Sequence, residues 1–244
     1  MIQPREYPQF WTDRAMLFRD NKDRNQPLED RVKDWSDAEI LHKLDNLTVV
    51  AFDPGGTTGW AVMRVKYADL VNQHKPVHEC IHYWTHGQVD CGSQSGNAAD
   101  SATANDYDLG ISETGEAAGV AVLENIVICN AGNPTAVVHE DFILRTENKS
   151  RDALSPVRVT AALQQLLWEL RATVEFKQQP SEAKTAITDA RLKLWGMYHD
   201  GHSSRHARDA DRHALLFLRK CRAKPSQLRK AYPAVREAKA RGLL

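Results

Sequence analysis

Residues 47–62 read LTVVAFDPGGTTGWAV, and the fold follows largely from how this stretch is parsed. Leu47 to Asp53 is a short apolar run rich in β-branched residues, the pattern of a strand buried on both faces. The segment PGGTTG then forms a tight turn, since proline and glycine readily take up turn conformations. Gly59 to Tyr67 (GWAVMRVKY) alternates enough to be a second strand. Asp53 is thereby placed at the C-terminal end of a buried strand, beside glycines that let a backbone or a phosphate come close. Such a carboxylate suits metal or phosphate binding; the plainer alternative is an aspartate that only starts a turn.

Working outward, Cys80 to Cys91 (CIHYWTHGQVDC) reads as a third strand and residues 92–107 as a small, polar, mobile loop. A helix is expected in ISETGEAAGVAVLENIVICN with Ser112 as N-cap. Thr135 to Ile143 forms another short buried strand, and Ser155 before Pro156 reads as a helix start. Thr173 to Gln179 is a further strand. PSEAKTAITDARLKLWG reads as one helical stretch, and RHARDADRHALLFLRKCRA as the last amphipathic helix. Three strands, then helix, strand, helix, strand, helix imply an α/β domain. Its mixed five-stranded sheet has three antiparallel strands followed by parallel ones, flanked by helices. The expected division is an N-terminal helical or irregular extension over 1–45, with DRVKDWSDAEILHKL its best helix. A domain over 46–222 follows, with a flexible insertion near 92–108, and then a basic tail over 223–244.

At 244 residues the chain suits one domain with a sizeable core. No apolar run is long enough for a membrane span, and MIQPREYPQFW lacks the layout of a signal peptide. The four cysteines are scattered without a CxxC pair, which disfavours a zinc ribbon or a disulfide scaffold and points to a reduced, cytoplasmic protein. Formal net charge is zero, from 32 Lys+Arg and 32 Asp+Glu. That neutrality is a cancellation. Residues 76–144 hold ten acidic side chains and no Lys or Arg, whereas 205–244 hold 12 basic and 3 acidic. A concentrated basic segment is a plausible phosphate-binding surface, or else a solvated helix face.

Glu140 and Asp141 close the strand AVVHED. An acid in an otherwise apolar strand is costly unless paired or bound to a cation. If this strand lies beside the first, Glu140 points toward Asp53, and two close carboxylates invite a divalent ion. In HSSRHARDADRH, His202, His206, Asp209 and His213 recur at intervals of four, three and four, so on one helix they share a face, ringed by Arg205, Arg208 and Arg212. A polar helix face is the bland alternative. His78, Cys80 and His82 alternate on the third strand, where packing is a better reading than a metal site.

Taken together, VVAFDPGGTTGWAV, VVHEDFIL, QQPSEAKTAIT and HARDADRHALLFL resemble the RuvC family of Holliday-junction resolvases, within the RNase H-like superfamily. They look most like the divergent members carried by bacteriophages. The resemblance implies an RNase H-like fold and a Mg²⁺-dependent endonuclease (Mn²⁺ substituting) that cuts branched DNA as a homodimer. It implies that Asp53, Glu140 and Asp209 hold two metal ions and that His206 orients water or phosphate. Lys184, in the P-x-x-x-K segment begun by Pro180, would contact DNA together with Arg205 and Arg208. Asp211 is an alternative third acid if the motif is aligned on the following Ala-Leu. Two other readings compete. DPGGTTG also looks like a phosphate loop of the actin and sugar-kinase superfamily, though no second loop is found; and a branched-DNA-binding module could keep the fold without the chemistry.

Overall fold

The structure, a computed structural model, describes residues 28–91, 115–141, 151–170, 174–178, 180–200 and 205–244. Strands β1 (Leu47–Asp53), β2 (Thr57–Val65), β3 (Ile81–Asp90), β4 (Thr135–Glu140) and β5 (Val174–Gln178) form one sheet in the order β3-β2-β1-β4-β5. β1 pairs antiparallel with β2, and β2 with β3; β4 runs parallel to both β1 and β5. This is the mixed five-stranded sheet, three antiparallel strands followed by parallel ones, expected from the order of elements.

Because side chains alternate along a strand, the sheet serves two cores. Val49 and Ala51 of β1, Ala61 and Met63 of β2, and Ala136 and Val138 of β4 pack with Ala210, Ala214 and Phe217 of α8 (Arg205–Ala223). Val50, Phe52, Val62 and Val137 face the other way, toward Leu123 and Val127 of α4 (Glu116–Asn130) and Val159 and Leu163 of α5 (Arg151–Leu170). The same alternation sends Asp53 and Glu140, next in the series 49/51 and 136/138, to the α8 side.

Several elements depart from expectation. The stretch 30–44 is not one helix: α1 (Leu28–Arg31) runs into a 3-10 turn (Val32–Asp34), and α2 (Asp37–Leu44) starts afresh. The break is at Ser36, whose hydroxyl accepts from Glu39 N while the Glu39 carboxylate accepts from Ser36 N, a capping box that initiates α2. α5 begins before Ser155–Pro156 and carries Pro156 inside it; a proline so near the start forgoes one main-chain bond, and the helix continues beyond it. The stretch 180–196 divides into α6 (Pro180–Ala186) and α7 (Asp189–Leu194), because the Thr188 hydroxyl caps Arg191 N and starts the second helix. Between β2 and β3 lies the short α3 (Tyr67–Val71).

Residues 223–244, expected as a tail, form α9 (Pro225–Ala231) and α10 (Pro233–Ala240). Leu228, Ala231, Ala234, Val235 and Ala238 are buried, and Tyr232 is wholly buried with its hydroxyl donating to Thr48 O at 3.2 Å. Basic residues there alternate with these apolar ones at helical spacing, so a high charge count coexists with a buried face. The loop over 92–107 and the expected cap Ser112 lie outside the described residues. Among the described residues no helix is long and apolar enough to cross a membrane.

Candidate active site

The turn after β1 is fastened by Thr58, whose hydroxyl donates to Gly55 O (2.9 Å) and accepts from Gly55 N (3.2 Å). It delivers Gly59 opposite Asp53 in the β1–β2 register. Here α8 crosses the sheet: a Cβ on residue 59 would lie 1.9 Å from His206 O and 2.8 Å from Ala207 N. Only glycine permits that approach. The crossing brings the His206 ring to Asp53, with Nδ1 2.9 Å from Oδ2.

In the β1–β4 register Phe52 sits opposite His139, so Asp53 and Glu140 follow as neighbours at the ends of parallel strands. An oxygen of each carboxyl group lies within 4.8 Å of one of the other. Among the described residues neither is bonded to a Lys or Arg; Asp53 meets His206, and Glu140 Oε2 lies 3.5 Å from His213 Nε2. His213 is buried, and its Nδ1 is 3.1 Å from Gln178 Oε1 on β5, a contact that turns Nε2 toward Glu140. One ligand atom each from Asp53, Glu140 and His213 fall within 4.8 Å of one another.

The remaining predicted residues are placed as follows. Asp209 is buried on the same side of α8, near enough to raise the Asp53 carboxyl through its charge. Its own oxygens are engaged by Arg212 Nη1 and by Lys184 Nζ at 3.3 Å. Arg212 also binds Asp189 and donates to Ile187 O, tying α8 to the α6–α7 junction. Lys184 is half exposed. Arg205 is exposed at the start of α8, while Arg208 donates to His199 O at 2.5 Å and lies over the Tyr198 ring. Asp211 faces elsewhere: wholly buried, it accepts from Trp84 Nε1 (2.7 Å) and pairs with His86 Nδ1 (2.6 Å) on β3. Of the triad expected on the third strand only His82 lies on β3; His78 and Cys80 fall in the 3-10 turn before it, where His78 stacks on Trp195 and Cys80 Sγ lies among the carbonyls of Asp69 and Pro76 beside Arg222, so the three do not converge on a metal.

Burial and the neighbouring Glu140 push the Asp53 carboxyl up to about 6, against the opposing His206 bond. Burial also pushes Glu140 upward, but hydrogen bonds from His213 and Asp53 and the charge of Lys184 outweigh it, leaving Glu140 below its usual value. The bond to Asp53 raises His206. Two neighbouring carboxylates, one buried and one partly buried, with no Lys or Arg bonded to either among the described residues, mark a place where a divalent cation fits, since a cation would satisfy both at once. Asp53 and Glu140 supply hard oxygen donors for Mg²⁺, and the His213 imidazole makes Mn²⁺ equally suitable.

No family model and no curated protein sequence matches the chain. Among solved structures, it is similar to Thermus thermophilus RuvC in complex with Holliday junction substrate, at 16% identity and TM-score 0.46, covering 72% of this chain and 96% of that one. It is also similar to a Thermus thermophilus RuvC structure at 14% identity and TM-score 0.47, covering 76% and 98%. Neither likeness carries a function to this chain.

The residue that sequence reasoning left out of the site is His213. Its signal was present in the spacing His206, Asp209, His213, which puts all three on one face. Its role depends on α8 passing over the ends of β4 and β5, which spacing alone does not give.

Proposed function

We propose that this chain is a divalent-metal-dependent endonuclease that cuts phosphodiester bonds at Holliday junctions or other branched DNA. The supporting observation is the Asp53–Glu140 pair, the first buried and the second partly buried at the ends of adjacent parallel strands and facing His213, with no Lys or Arg bonded to either acid among the described residues. Substrate class rests on the motifs, which resemble those of junction resolvases of the phage type.

Asp53 and Glu140 would hold the metal with His213, and Asp209 would join them on releasing Lys184. When bound, the ion acidifies a water and neutralises charge developing on the phosphodiester. His206 orients the Asp53 carboxylate through Nδ1 and keeps its ring partly open to solvent, where it can meet a phosphate oxygen. Lys184 and Arg205 are exposed beside the site and would hold the strand on either side of the cut. Further along, Lys177, Lys220, Lys224 and Lys230 line a cleft of about 410 Å³, a path for backbone phosphates whose occupancy weakens with salt. A homodimer fits the large apolar side chains left exposed, Val157 and Trp168 on α5 and Val122 on α4.

One observation favours a second reading, a junction-binding module without chemistry: both oxygens of Asp209 are already held by cations. A single experiment separates the two. The purified protein is incubated with labelled four-way, three-way, flap and plain duplex DNA in EDTA, Mg²⁺ or Mn²⁺. Nicking of branched substrates with metal only, and binding without cutting by Asp53→Asn, is the expected result. Cutting that persists in Asp53→Asn removes the assignment, and binding without cutting by the unaltered protein supports the module.

A further inference from the structure

A second cleft, of about 470 Å³, lies on the opposite flank of the C-terminal half of α8 from the lysine-lined one. Its lining combines an aromatic wall, an apolar floor and arginines. Trp195, just after α7, stacks on His78, just before β3, with ring centroids 4.7 Å apart and planes 14° from parallel. Pro76, Val77 and Leu215 add apolar surface, and Arg191, Arg219 and Arg222 complete the rim.

The arginines have structural partners, but two of them keep donors to spare. Arg191 and Arg219 both donate to the same carbonyl oxygen, that of Ala186, the latter at 3.1 Å. Two guanidinium groups converging on one atom repel each other. Each has five N–H donors, so this contact leaves most of both forks uncommitted. Arg222 is tied to Leu70 O, Asp69 O and Cys80 Sγ. Among the described residues no carboxylate forms an ion pair with any of the three, and Arg191 and Arg219 keep exposed donors turned to one concave surface. An anion relieves that repulsion, and the planar geometry of guanidinium suits phosphate oxygens. The stacked pair leaves an outer ring face, and an aromatic face beside a cationic rim is what a nucleotide presents in complement: base against aromatic, phosphate against arginine. The volume lies in the range of small-ligand sites.

We propose that this cleft binds one nucleotide unit, its base against the Trp195–His78 wall and its phosphate on Arg191 and Arg219. From Asp209 to Arg219 is about 15 Å along α8, so the cleft is separate from the metal-site residues and holds a nucleotide whether or not those residues cut DNA. An unpaired nucleotide of a DNA strand and a free nucleotide share this chemistry.

The test uses the full chain in EDTA, where no cleavage interferes. Fluorescein-labelled dT12 binding is followed by anisotropy and dTMP binding by calorimetry. Trp195→Leu and the double variant Arg191→Gln/Arg219→Gln are each expected to weaken binding about tenfold or more. Trp195→Phe should restore affinity to within about threefold, because a ring still stacks. Binding of dT12 alone assigns the site to a DNA strand and binding of dTMP as well assigns it to free nucleotides; both uphold the proposal. In parallel, the unaltered protein is photocrosslinked to a 5-iododeoxyuridine oligonucleotide and the adduct is mapped, which needs no variant to fold. An adduct on the peptides bearing Trp195 or His78 supports the proposal. Failure of both ligands to bind, affinities unchanged in both variants, or an adduct mapped only elsewhere overturns it.

Discussion

Replacing Gly59 by alanine should cost both stability and the proposed metal site, and the size of the effect can be worked from one contact. In an ordinary strand, glycine to alanine is neutral or stabilising, because the unfolded chain loses freedom. Here the new methyl would sit 1.9 Å from His206 O, 2.1 Å from His206 C and 2.8 Å from Ala207 N, all backbone atoms that cannot rotate away. Restoring ordinary contact, 3.4 Å or more, requires α8 and β2 to part by about 1.5 Å. Overpacking of this kind costs about 1–3 kcal/mol, or roughly 2–12 °C in Tm for a chain of this size. The same displacement stretches the 2.9 Å His206–Asp53 contact beyond hydrogen bonding. A misplacement of about 1 Å in a catalytic constellation costs on the order of 100-fold in rate. The assay is thermal unfolding with and without Mn²⁺, together with junction nicking, for Gly59→Ala and for Gly132→Ala, where an added Cβ meets nothing within 4 Å. Gly132→Ala should match the unaltered protein within about 0.5 kcal/mol. If Gly59→Ala melts where the parent does and keeps its Mn²⁺-induced shift, the close crossing of α8 over β2 is wrong.

The electrostatics make two further predictions. The folded Asp53 carboxyl, at about 6, lies above its unfolded value of roughly 3.9, so its contribution is fully favourable below that value and is lost as pH rises through 6. Without metal, Asp53→Asn should therefore be more stable than the parent at pH 7.5 by about 3 kcal/mol at most in urea unfolding, with the difference shrinking toward pH 5; a destabilised variant at pH 7.5 contradicts this. On the opposite face of the sheet, buried His139 bonds Glu175 at 2.6 Å, and Gln164 adds a second bond at 2.9 Å. Burial pushes the Glu175 carboxyl up, but these bonds outweigh it and hold it below its usual value, so the pair stabilises above the ordinary carboxylate pKa and is lost as pH falls through the lowered one. His139→Phe should cost about 1–2 kcal/mol near pH 7 and less near pH 3; a loss that does not depend on pH would assign His139 to packing alone.

The sheet was legible because its signals are local. LTVVAFD is a mostly apolar, β-branched run, the turn carries Pro54, Gly55 and Gly56, and that short connection makes the second strand reverse on the first. The placement of Asp53 and Glu140 on one face was legible too, since parallel neighbours in register bring strand ends together. What could not be read depended on partners far away in the chain. Ser36 and Thr188 break helices that apolar periodicity carries straight through, because a single side-chain cap outweighs weak propensity over short segments. The basic residues of 223–244 hid a buried face, as charge totals do not report which side of a helix they occupy. The pairing of Arg212 and Lys184 with Asp209 is set by how α6 and α7 dock on α8, which spacing along the chain does not give.

Asp209 and Asp211 show most directly how the fold divides one motif. Two residues apart, they point about 200° away from each other around a helix, so α8 cannot present both to Asp53. Both oxygens of Asp211 are taken by β3, one by the Trp84 indole and one by the His86 ring. That fastening holds α8 rotationally, because turning the helix enough to aim Asp211 at the metal-site residues would leave a wholly buried carboxylate without partners, at a cost of several kcal/mol. Gly59 fixes the height of the same helix above β2, and Arg212 fixes its side against α6 and α7. The face carrying His206, Asp209 and His213 is therefore set by contacts made on the other sides of α8, and the geometry around Asp53 and Glu140 is inherited from residues that touch neither carboxylate.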